Sequence, residues 1–164
     1  TFAQRFADWG LKPERVMPLI PHIQPRVEVF SDVAPLAGHF LAGIPTLTAE
    51  QLANKAYDDD KLTEVLQFGL WRLEAIRFWD RDSIQQALFP LGKALELKTK
   101  DLLYPFFIAI AGTSATISVL DSMVVLGPDM SRARVRNALQ TVAGDIGKKK
   151  LKKLEKAYNA LGEL

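Results

Sequence analysis

Leu62, Val65, Leu66, Leu70, Leu73 and Ile76 recur at steps of three and four residues, and this spacing constrains the fold more than any other feature of the chain. Apolar side chains at that interval share one face of a helix, whereas a half-buried strand needs strict alternation. No stretch alternates long enough to predict a strand, so the chain reads as all-α. The stripe predicts a helix over residues 61–79. "WDRDSIQQALFPLGKALEL" predicts another, capped by Asp80 or Asp82 and bent at Pro90. "LLYPFFIAIAG" is nearly all apolar yet short of the roughly 20 residues a membrane span needs, and so predicts a core helix over 102–112. A helix over 119–126 is expected to stop at Gly127-Pro128, and the next to run over 129–143.

The first third is less regular. Residues 2–9 read as the end of a helix stopped by Gly10, with Pro13 opening the next, as a fragment cut from a larger architecture would begin. Pro18, Pro21 and Pro25 follow within eight residues and lead to Arg26. Each removes a backbone donor and fixes φ, at about 3 kcal/mol inside a helix, so this segment is expected to be a stiff corner. A helix from Ser31 or Asp32 carries Val33, Leu36, Ala37, Phe40 and Leu41. Thr48 and Gln51 have the spacing of a capping box. A boundary near residue 60 divides a small irregular helical subdomain, 1–60, from a bundle, 61–146. Residues 147–164 form a basic amphipathic helix with Leu151, Leu154, Tyr158 and Leu161 on one face.

Charge is unevenly spread. Residues 1–90 carry 9 Lys/Arg against 12 Asp/Glu, residues 91–164 carry 12 against 7, and six lysines lie between Lys148 and Lys156. That cluster suits an anionic partner or, equally, a solvated helix face. There is no cysteine, which excludes disulfides and thiolate metal sites and suits a reducing compartment. With no membrane span or signal peptide evident, a cytoplasmic protein is expected.

Catalytic constellations are missing. The chain has no glycine-rich phosphate loop, no GxSxG elbow and no HExxH motif. His22 and His39 are not at ligand spacing, and His39 sits among apolar neighbours as a packing histidine would. Asp58-Asp59-Asp60 lacks the glycine and distal glutamate of a calcium loop and reads as a turn and helix cap. No metal site is expected, and no catalysis by this chain alone.

From "VLQFGLWRLEAIRFWDRDSIQQALFPLGKALELKTKDLLYPFFIAIAGTSATISVLDSMVVLG" onward a family likeness emerges. A tryptophan-acidic turn, a helix, the step "LELKTKDLLYP", an apolar run to Ala111-Gly112, a polar loop and a helix ended at Leu126-Gly127 follow in an order that resembles the C-terminal part of bacterial glutamyl-tRNA synthetases. "PHIQPRVEVFSDVAPLAGHFL" is similar to that family's Pro-Arg step. The likeness covers about residues 10–140. It implies an all-helical anticodon-binding region of class I type, with two helical subdomains and a glutamate-accepting tRNA as partner, acting as a monomer. The parent would be a glutamate-tRNA ligase using ATP, but signatures of the HIGH and KMSKS type are absent from this sequence, so no cofactor is expected here.

The resemblance also implies roles. The family's Pro-Arg arginine reads the third anticodon base, and Arg26 falls there. Unpaired cytosine presents two adjacent acceptors, O2 and N3, to a guanidinium fork, whereas guanine presents donors. Glutamate and glutamine anticodons differ in that base. The residues alone leave Arg26 open as a helix-capping arginine or one paired with Glu28 or Asp32. Gln24, Phe107, Thr113, Ser114 and Thr116 are expected to line the anticodon pocket. Phe107 stands where the family often has an arginine contacting the first base; it can stack but not donate, and core packing is its plain alternative. Ile117 replaces a common proline, and the loop hydroxyls can equally serve as turn and cap residues. Lys98, Lys100, Arg132, Lys148, Lys149 and Lys150 are expected on backbone phosphate. Two other readings remain: a protein-interaction module using the apolar face of the tail helix, and the anticodon domain of a class I lysyl-tRNA synthetase.

Overall fold

A computed structural model of the chain describes residues 17–113 and 117–162, which hold eight α-helices and no strand. They are α1 (Ile20–Ile23), α2 (Val33–Leu41), α3 (Ala49–Leu52), α4 (Asp59–Glu74), α5 (Arg81–Ala94), α6 (Thr99–Ala111), α7 (Val119–Ala143) and α8 (Lys148–Asn159). The helix end expected at 2–9 and the helix start at Pro13 lie outside the described residues.

The proline cluster folds as three short helical turns in series. A 3-10 turn over Met17–Leu19 leads into α1, and α1 into a second 3-10 turn over Gln24–Arg26. Pro21 and Pro25 each fall in the first two positions of their element. There the missing N–H has no intrahelical partner to lose, so the prolines stiffen the segment without breaking it. Val27 then turns extended, with φ −96° and ψ 114°.

Sequence-local caps start the helices that follow. Thr48 and Gln51 form a reciprocal capping box on α3. Asp58 accepts from the Lys61 N–H at 2.8 Å to open α4, and Asp80, rather than Asp82, accepts from Ser83 at 2.7 Å to open α5. α7 has a break at Gly127, whose φ of 78° and ψ of 171° leave the helical region and suit a residue without Cβ.

The core is a cluster drawn from α3 to α8, with Leu62, Leu66, Leu73, Ile84, Leu88, Leu91, Phe106 and Val135 almost fully buried. α4 and α6 lie close together at Gly69, where an added Cβ would run into the Phe106 ring. A smaller cluster of Leu19, Ala37, Phe40 and Ile117, backed by Ile23, Val33, Val125 and Leu126, joins the proline corner and α2 to the first half of α7. Leu47 and Leu52, numbered before the expected boundary at 60, pack in the larger cluster.

Two prolines inside helices are relieved from elsewhere. Pro90 in α5 cannot donate to the Gln86 carbonyl, and Arg72 of α4 supplies donors to Gln86 and, at 3.0 Å, to Ala87. Pro105 in α6 deprives the Asp101 carbonyl, which accepts instead from the Tyr57 hydroxyl at 3.1 Å.

α4 ends at Glu74, five residues before the expected end at 79. Arg132 of α7 takes the carbonyls of Leu73, at 2.9 Å, and Ile76, and lies over the Trp79 ring, while Trp79 donates its indole N–H to Met123 at 2.8 Å. Long-range donors stop the helix where the apolar stripe alone would continue it.

The tail forms the expected amphipathic helix. α8 packs its apolar face on the bundle: Leu154 is buried, and the Tyr158 ring lies 5.2 Å from both Phe68 and Trp71. Packing of that face on its own chain does not favour it as a docking surface for a partner protein.

One buried charge ties these layers together. Arg134, on α7, is only 1% exposed and donates to Ile110 at the end of α6 and, at 2.6 Å each, to His39 and Ala42 at the end of α2. Carbonyls at helix C-termini carry the negative end of the helix dipole, so these three solvate the cation. His39 lies beside it, and burial together with the Arg134 charge pushes its pKa down to about 4.

Arg134→Met is expected to lower stability by about 3 kcal/mol or more, since three carbonyls lose their donors. Arg136→Met, which breaks an exposed pair with Glu74, should change it by less than about 1 kcal/mol; urea unfolding checks both. For His39, the unfolded chain takes up a proton below about pH 6.5 that the folded chain refuses until about pH 4. Stability should therefore fall across that window, by on the order of 3 kcal/mol, and His39→Leu should flatten the fall.

Candidate nucleic-acid interface

Arg26 ends the stiff corner and is exposed. Its Nη1 donates to the His22 carbonyl of α1 at 2.8 Å. Of the two structural roles open to it, the cap is the one adopted; among the described residues it has no ion pair with Glu28 or Asp32. The cap uses one terminal nitrogen, and among the described residues no further hydrogen bond engages Nε or Nη2. Asp32 serves the backbone instead: its Oδ2 accepts from Val29 and Glu28 N–H at 3.0 Å each, which holds its carboxyl below the usual carboxylate range. Those bonds close the turn that follows Arg26, so both the residue before it and the segment after it are constrained.

Gln24 is exposed on the same 3-10 turn. Thr113 is exposed just past Gly112, the C-cap of α6. Ser114 and Thr116 lie outside the described residues. Ile117, at the far end of that loop, is buried in the smaller cluster with Leu19, and Ile23 packs against the same cluster. The loop and the proline corner are thus anchored on one apolar unit. Phe107 is not brought to that unit: it is half-buried against the larger cluster, the plain packing its sequence position also allowed.

The expected phosphate contacts divide. Lys98, Lys100, Lys148 and Lys149 are exposed, and Lys150 lies 3.5 Å from Asp60. Arg132 does not belong with them. Its Nε and Nη2 are committed to helix-end carbonyls and its plane to Trp79, so it closes α4 rather than facing a ligand. Phe78, one residue before the anchored Trp79, is 79% exposed. It lies beyond the apolar stripe, which ends at Ile76, so the periodic pattern does not single it out.

The family model for the anticodon binding domain matches residues 1–139. The chain belongs to the anticodon-binding domain family. It is 45% identical over 158 residues to a glutamate–tRNA ligase of Marinomonas sp., and 45% identical over 161 residues to that of Marinobacter nauticus. These alignments cover 96% and 98% of the chain but 32% of each relative, so the chain spans about a third of the length of the relatives it matches. In three dimensions it resembles a glutamate tRNA ligase from Elizabethkingia meningosepticum solved in complex with its amino acid, with a TM-score of 0.71 at 17% identity over 86% of this chain and 28% of that one. That likeness shows the fold. Family membership accounts for the all-helical scaffold. None of the described helices is long and apolar enough to cross a membrane.

If Asp32 holds the turn after Arg26, Asp32→Ala should speed hydrogen exchange of the Glu28 and Val29 amides several-fold while leaving the amides of α4 unchanged, read by NMR.

Proposed function

We propose that this chain recognises the anticodon of a glutamate-accepting tRNA, as part of a longer glutamate–tRNA ligase whose ATP-dependent chemistry lies outside these residues. Its family and the names of its relatives support the reading, and one observation carries it: an exposed guanidinium capped through Nη1 at the end of a proline-stiffened corner. Ordering a long side chain on binding opposes affinity, and a backbone already restricted by Pro21 and Pro25 reduces what must be ordered.

Arg26 meets the third anticodon base. Two parallel N–H donors from Nε and Nη2 match the O2 and N3 acceptors of an unpaired cytosine. Guanine at that place would set donor against donor, leaving polar groups unsatisfied in a desolvated contact. Gln24 and Thr113 are assigned to the same base-reading region, and Lys98 and Lys100 to phosphate contacts. Phe107 contributes by packing α6. A protein-interaction module built on the tail is not favoured, since the apolar face of α8 is already covered.

The test uses anticodon stem-loops differing only in the third base. The chain should prefer cytosine over guanine by about 1–3 kcal/mol, roughly 5- to 150-fold. Arg26→Gln should remove most of that preference with little change in thermal stability, and Arg26→Lys should keep affinity better than preference. An unchanged preference in Arg26→Gln would mean that another residue reads the base.

A further inference from the structure

Docking of α8 fixes which lysines face outward. Successive residues advance about 100° around a helix, so Leu154, Tyr158 and Leu161 fall within about 60° of one another and occupy the face packed on the bundle. Lys149, Lys152, Lys153 and Lys156 fall on the opposite side, within an arc of about 100°. All four are exposed. They span about 10 Å along the axis, and no carboxylate of α8 lies between them, since Glu155 falls beside the packed face.

The acids of the neighbouring element are already engaged. Asp60 and Glu64, at the start of α4, border a groove of about 680 Å³ that Lys149 and Lys153 also line. Asp60 pairs with Lys150 at 3.5 Å and Glu64 with Lys61 at 3.3 Å. The four outward lysines therefore present four positive charges on a helix held rigidly by aromatic packing.

We propose that this stripe is a second RNA-binding surface, taking the sugar-phosphate backbone of a duplex stem, separate from the base-reading corner at Arg26. The proposal rests on the tRNA reading above and adds to it the face, the residues and the kind of RNA. Charge complementarity selects the partner. A nucleic-acid duplex carries about one negative charge per 1.7 Å of axis, so a 10 Å rail of lysines faces several phosphates at once. Lysine ammonium groups on flexible stems suit phosphate without base readout. A lipid surface would also attract them, but the large exposed apolar residues are Met17, Ile20, Val29, Ile44 and Phe78, and none is on α8, so nothing there would insert into a membrane. The stripe also differs from the set expected from sequence: Lys150 is held by Asp60, while Lys152, Lys153 and Lys156 join it.

The experiment measures binding of the chain to a loop-free blunt RNA duplex by fluorescence anisotropy, between about 50 and 200 mM salt. K149Q/K152Q/K153Q/K156Q should weaken binding at least about tenfold at low salt and reduce the log–log salt slope by about 3. K149R/K152R/K153R/K156R should keep the slope, and K55Q/K93Q, which removes two exposed lysines elsewhere, should leave affinity and slope near those of the parent chain. An unchanged slope in the glutamine variant with unchanged circular dichroism overturns the proposal. So does capture of the chain by phosphatidylglycerol vesicles without binding to the duplex. Loss of cytosine preference in Arg26→Gln alongside an unaltered slope in the glutamine variant sinks the stripe and leaves the anticodon reading standing. The reverse pattern sinks the anticodon reading alone.

Discussion

Arg134 is the point on which the architecture turns. A guanidinium removed from water would be strongly unfavourable alone. It is solvated by the carbonyls of Ile110, His39 and Ala42, the closing ends of two helices that converge on α7. That arrangement requires α2 and α6 to end at the same place, so the register of the N-terminal helices against the bundle follows from it. The same chemistry recurs at Arg132 on Leu73 and Ile76, at Arg72 on Gln86 and Ala87, and at Arg26 on His22. In each case a forked cation serves carbonyls that a helix end or a proline has left without a donor.

This economy bears on function. Arg72, Arg132 and Arg134 are part- or fully buried and spend their donors inside the fold. Arg26 makes the same kind of contact from an exposed corner, so the interaction that orients its plane still leaves an edge toward solvent. A base-reading residue needs that combination: enough restraint to present a fork in one direction, and enough exposure to be met. The lysines of α8 solve a different problem. Packing removes one face of the helix from competition and leaves the charged face at a fixed height above the bundle.

Legibility in the sequence followed the range of the interactions. Thr48 with Gln51, Asp58 and Asp80 act on amides three residues away, and their helix starts appear where the residues predict them. The break at Gly127 and the amphipathic tail were equally readable. The end of α4 was not, because its stop signal sits on α7, and nothing near Glu74 in the chain announces it. Arg132 and Arg134 both look like surface cations in "SRARVRNAL". A hint was present, since Ser131, Arg134, Val135 and Ala138 share the buried stripe of α7, but a periodic pattern does not say what would solvate an arginine placed there. Phe107 and Arg26 show the same limit from the side of the site: the family resemblance named them, and only packing separated a half-buried ring from an exposed fork.

By itself the sequence determined that the chain is helical, where most helices begin, that a stiff proline corner precedes Arg26, and that the tail has an apolar and a basic side. These are consequences of side-chain spacing, fixed φ and local hydrogen bonds, all of which act within a few residues. Only the tertiary structure decided which arginines are buried, where α4 stops, which side of the tail is covered and which four lysines lie opposite that side. Those outcomes depend on which helix ends meet which side chains across tens of residues, and carbonyls freed in one helix are satisfied by donors whose positions no local pattern encodes.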